Sequence, residues 1–159
     1  MARQPYPLEA LRKLRDERAE AVAHGLAAQL ARCRKAEAEL QERERLRREH
    51  RARAAESLLA ERERLAQRGA SGAELLRLAE FEQASRAQAR VLEQSEESAR
   101  QALAEERGRE QKVREQLAKL EAEAELVQRH EASFHEHHAQ LQQKAEEEAA
   151  LEQWSAGRH

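Results

Sequence analysis

From Leu75 onward, a seam of positions steps alternately by three and four residues, through 75, 78, 82, 85, 89 and 92 and on to 148. Fourteen of its 22 positions are apolar: Leu75, Leu78, Ala89, Leu92, Ala99, Leu103, Val113, Leu117, Leu120, Ala124, Val127, Phe134, Leu141 and Ala145. A 3-4 repeat held for about ten heptads is a coiled-coil signal. The earlier part of the chain is looser. Leu8, Leu11, Val22, Leu26, Cys33 and Leu40 share one frame, and Leu58 and Leu65 resume it after a gap between Leu46 and Leu58 that is either held by polar pairing alone or a loose segment.

The break between the two patterns is Gly69-Ala70-Ser71-Gly72-Ala73-Glu74. Gly69 suits the left-handed position that ends a helix, with Arg68 at the negative end of the helix dipole. Ser71 and Glu74 have the spacing of a capping box, which satisfies the orphan amides of a new helix. The pattern therefore predicts an all-α fold, a two-helix antiparallel coiled-coil hairpin. It forms one domain over 1–159, with helix 1 at about 8–68, a turn at 69–72 and helix 2 at about 72–153. A turn near residue 70 pairs positions whose numbers add to about 141, such as Leu65 with Leu76 and Leu14 with Val127. At about 1.5 Å per residue helix 2 overhangs helix 1 by some twenty residues, from about His135 to Trp154, and that segment is either frayed or reserved for another protein.

Composition narrows the alternatives. The 159 residues include no Ile, Thr or Asn and only four valines, so a sheet core lacks its usual residues. Thirty-three alanines against twenty leucines leave enough apolar area for a seam and too little for a multilayer core. One cysteine, Cys33, allows no internal disulfide and no cysteine-rich zinc site. No apolar run approaches a transmembrane span, and the N-terminus has no secretory h-region, so a cytoplasmic protein without direct membrane insertion is expected. The net charge of −2 argues against a nucleic-acid partner. It conceals an excess of +5 over 1–68 facing −7 over 69–159, which favours pairing the two halves.

Candidate chemistry is sparse. His130, His135, His137 and His138 cluster near Glu131, but without cysteine or an H-E-x-x-H pattern they read as solvated helix-surface groups, and no metal or other cofactor is expected. Cys33 falls on the seam as a small buried hydrophobe. Six arginines between Arg43 and Arg53 are interleaved with Glu44 and Glu49 and lack an aromatic to stack on bases, so they read as a solvated face. Without a phosphate loop or a concave framework for a nucleophile, the chain reads as non-enzymatic. Two features stand out. In the run from Tyr6 to Ala21, Leu8, Leu11 and Leu14 recur at i, i+3 with Arg15 and Arg18 beside them, a surface suited to an acidic, partly apolar protein. Phe81, three residues after Leu78, lies off the seam as a candidate exposed contact.

The opening Tyr6-Pro7-Leu8-x-x-Leu11-x-x-Leu14-Arg15-x-x-Arg18-x-x-Ala21, with the Ala- and Glu-rich helices, Leu78-x-x-Phe81 and the late Leu151-Glu152-Gln153-Trp154, resembles the small helical-hairpin stalk proteins of type III secretion, the YscO type of injectisomes and the FliJ type of flagella. The resemblance implies a cytoplasmic component, peripheral to the inner-membrane export apparatus and similar to the central stalk of rotary ATPases. Its open end, carrying both termini, would enter the hexameric secretion ATPase through Leu8, Leu11, Arg12, Arg15 and Arg18. It further implies contact with the export-gate membrane protein at Leu78 and Phe81 and escort of secretion chaperones by a chain that is monomeric when free. Few aromatics along the hairpin tilt the resemblance toward the injectisome branch. The rival reading is a structural coiled-coil scaffold that dimerises through its seam and has no export role.

Overall fold

The computed structural model describes residues 4–158. Two helices account for nearly all of them, α1 (Glu9–Arg68) and α2 (Gly72–Ala156), and no strand occurs among the described residues. They pack against each other as an all-α helical hairpin. Gly69 ends α1 with a φ of 75°, a left-handed conformation that a side chain would strain. The capping box then forms in full: the Ser71 amide donates to Glu74 Oε2 at 3.0 Å, and the Glu74 amide donates to Ser71 Oγ at 3.3 Å. The Ser71 amide on the Glu74 carboxylate, with a further contribution from the Ser71 hydroxyl, holds the Glu74 carboxyl below its ordinary value.

Contacts group the chain into two compact units, residues 27–111 and residues 1–26 with 112–159, and each joins a stretch of α1 to a stretch of α2. In the unit of residues 27–111, Cys33, Leu65 and Leu103 are buried together with two polar side chains, Gln29 and Glu96. In the other unit the buried positions are Tyr6 and Ala124. No described side chain is completely enclosed, as expected of a core only two helices thick.

The seam carries through the structure. Every one of its positions from Leu78 to His138 is buried or half-buried, whereas Leu75, Leu141, Ala145 and Glu148 are exposed. Its acidic positions are matched from α1. Arg62 donates to Glu82 at 2.7 Å, Arg47 bonds Glu96, and Gln29 donates to Glu106 at 2.5 Å. His50 Nε2 lies 3.1 Å from the Ser85 carbonyl, so the leucine-poor stretch between Leu46 and Leu58 is an unbroken helix held by polar contacts. Numbers of these partners add to between 135 and 144, close to the expected register.

A candidate partner-binding end

The unit of residues 1–26 and 112–159 contains both ends of the described chain. Its N-terminal entry is set by the Leu8 carbonyl, which accepts the Arg12 amide at 3.0 Å, and by the Tyr6 carbonyl, which accepts the Glu9 amide at 3.2 Å. Tyr6 is 4% exposed. Its hydroxyl lies 2.5 Å from His130 Nδ1, and its ring meets Phe134 edge-on at 5.5 Å and His135 at 6.3 Å between centroids. Phe134 in turn meets the His138 ring at 5.0 Å. The seven residues from Tyr6 to Arg12 are thereby anchored on one stretch of α2.

Arginines complete this end. Arg15 bonds Glu123, and Arg12 Nε faces Glu131 Oε2 at 3.4 Å, with His135 Nε2 3.7 Å from the other oxygen of that carboxylate. Both guanidinium side chains are about 30% exposed, so these pairs are partly shielded from solvent. Leu8, Leu11 and Leu14 are 43%, 36% and 42% exposed. This reverses an expected arrangement: Leu8 and Leu11 fall on the sequence frame of the seam, yet Arg12 and Arg15 take the inward positions. Val127 keeps its half-buried seam place on α2, but it is Arg15 and Arg12, paired with Glu123 and Glu131 on either side of it, that lie inward on α1 instead of Leu14. Of the five residues assigned to ATPase contact, Arg12 and Arg15 are thus engaged within the chain, while Leu8, Leu11 and Arg18 are open to solvent.

The histidine cluster is solvated only in part: His130 and His137 are exposed, while His135 and His138 are half-buried. His130 and His135 contact Tyr6, His138 packs on Phe134, and His137 is exposed. No group of His, Cys, Asp and Glu among the described residues is arranged to hold a metal ion. The signal for this cluster lay in the spacing of His130, Phe134 and His138 at four-residue steps, with Tyr6 as the aromatic opposite.

At the turn end, inside the unit of residues 27–111, Leu78 is half-buried and Phe81 is 44% exposed. Together with Ser57, Glu61 and Arg77 they line a shallow groove between the helices. Cys33 lies on the seam 3.9 Å from Gln29 Nε2, and burial, aided by Glu110, pushes its thiol up from the ordinary value. Glu96 is opposed by burial, which alone would raise it, but Arg47 and Arg100 outweigh that and hold it low. No helix among the described residues is long and apolar enough to cross a membrane.

No family model, curated protein or solved structure matches the chain.

Proposed function

We propose that this chain is a cytoplasmic, non-enzymatic stalk or adaptor of a type III secretion export apparatus, which engages the hexameric secretion ATPase with the end that carries its termini. The observation that carries the reading is the exposed row Leu8, Leu11 and Leu14 on a helix end held by Tyr6, Arg12 and Arg15. A preset apolar ridge loses little conformational entropy on binding, and a helical hairpin needs no pocket of its own to act inside a ring. Leu78 and Phe81, which line the groove at the turn end, suit contact with an export-gate protein, and secretion chaperones are further partners on the same family reading.

The test is to combine the purified chain with a type III secretion ATPase and follow hydrolysis and ring assembly. Stimulation that is lost in a Leu8→Glu, Leu11→Glu variant and retained in a Phe81→Ala variant supports the reading. Absence of both binding and rate change overturns it. Arg15→Glu reports differently, because it opposes Glu123 and weakens this end of the hairpin even without a partner.

A further inference from the structure

Helix α2 runs to Ala156, and every position from 139 to 158 is exposed, including Leu141 at 47%, Leu151 at 64% and Trp154 at 58%. The segment 139–156 is strongly acidic, with Glu146, Glu147, Glu148 and Glu152 against Lys144. Because α2 is continuous, the segment does not fold back on its own unit. Leu151 and Trp154 are three residues apart and therefore share a face, with Glu147 one turn before Leu151 and the Arg158 guanidinium 3.8 Å from the Trp154 ring centroid, which leaves the other side of the ring open.

The same unit holds a second open face. On α2, Leu126 lies three residues after Glu123 and four before His130, and on α1, Leu11 and Arg18 lie four residues before and three after Arg15. The Arg15–Glu123 bond therefore sets Leu11 and Leu126 beside one contact, with Leu126 64% exposed and the exposed Leu8 and Leu14 before and after Leu11 along the chain. Arg18 and Lys119, both exposed, continue that flank by one turn on each helix. Glu123, the acid that falls between them, is already bonded to Arg15. The flank is apolar with a basic edge.

We propose that a second copy of this chain covers this flank: segment 139–156 of one copy lies along the leucines, Arg18 and Lys119 of the other, and the exchange is reciprocal about a twofold axis. Three observations favour this occupant. The charges are opposite. The 18 helical residues reach about 27 Å, beyond the roughly 15 Å from Leu8 to Arg18. A twofold exchange forms two seats at once, and 139–156 with the receiving flank approaches the 20–30 or so residues a side of a stable interface. Two tails laid against each other alone would oppose their glutamate runs. The pairing needs no ATPase but covers the same leucines that the stalk reading turns toward one, so the dimer and the ATPase-engaged chain are alternative states, and the free chain is a dimer where a monomer was expected.

Sedimentation velocity on the full chain, over a range of concentrations and salt, tests it. The expected result is a dimer that weakens with salt, accompanied by a blue shift in the fluorescence of Trp154, the single tryptophan, as concentration rises. A Leu151→Ala, Trp154→Ala variant and a Leu11→Ala, Leu126→Ala variant should each be monomeric with unchanged helicity. Mixed, they should recover a heterodimer, because one seat remains intact. A monomer at about 100 µM, or a dimer that survives both variants, overturns the proposal. ATPase stimulation by a strictly monomeric chain would refute the pairing and leave the stalk reading standing.

Discussion

Gln29→Ala is the substitution that tests the polar seam most directly. Gln29 is 5% exposed, and its amide nitrogen donates to the Glu106 carbonyl at 3.0 Å and to Glu106 Oε2 at 2.5 Å. A hydrogen bond to a charged acceptor contributes about 1.5–3 kcal/mol and one to a carbonyl about 1 kcal/mol. The carbonyl keeps its bond within α2, and Arg109 still donates to the other Glu106 oxygen at 2.7 Å, so part of this is recovered. Truncation also removes methylene packing, at about 0.8 kcal/mol per group, against a small gain in helix propensity. The expected loss is about 2–4 kcal/mol, a fall in Tm of roughly 4–16 °C for a chain of this size, read by thermal denaturation followed by circular dichroism. Gln29→Leu separates the terms. It loses the same hydrogen bonds but keeps the volume and buries more apolar area, so it should stay within about 1 kcal/mol of the parent. A loss below about 0.5 kcal/mol in the alanine variant, or equal losses in the two, would refute the reasoning.

Other predictions follow from single contacts. Gly69→Ala meets no steric neighbour but forces a side chain into a φ of 75°, and should cost about 1–2 kcal/mol in chemical denaturation. Ser71→Ala removes the cap of α2 and should cost about 1 kcal/mol in the same assay. Glu96 has its carboxyl held low in the fold, so its pairing with Arg47 and Arg100 stabilises above the ordinary glutamate value of about 4.3 and is lost as pH falls through the lower folded value. The parent should therefore lose more Tm between about pH 7 and about pH 3 than Glu96→Gln, and equal slopes would contradict the pairing. Cys33, with its thiol pushed up by burial and by Glu110, should be alkylated far more slowly in the folded chain than in denaturant at the same pH; equal rates would place it outside the seam.

The helices were legible because their determinants are local. Gly69 reads as a left-handed stop without knowledge of the rest of the fold, and Ser71 with Glu74 reads as a cap, so the break fell where the structure has it. The seam of α2 was legible for a related reason: its repeat is long enough that Glu82, Glu96, Glu106 and Glu131 keep their places on it despite being charged. What the sequence did not reveal is which side chains of α1 face them, because that depends on register. At the N-terminal end the leucines have the stronger apolar pattern and would win the seam on hydrophobicity alone. They do not take it, because Arg15 and Arg12 turn inward to pair with Glu123 and Glu131 on the facing stretch of α2, contacts that leucine could not make. The same choice turns Leu8, Leu11 and Leu14 outward, so the exposed ridge is a consequence of charge matching inside the hairpin. Exchanging the Arg15 and Glu123 charges together should then preserve that exposure, whereas removing either one alone should release the arrangement.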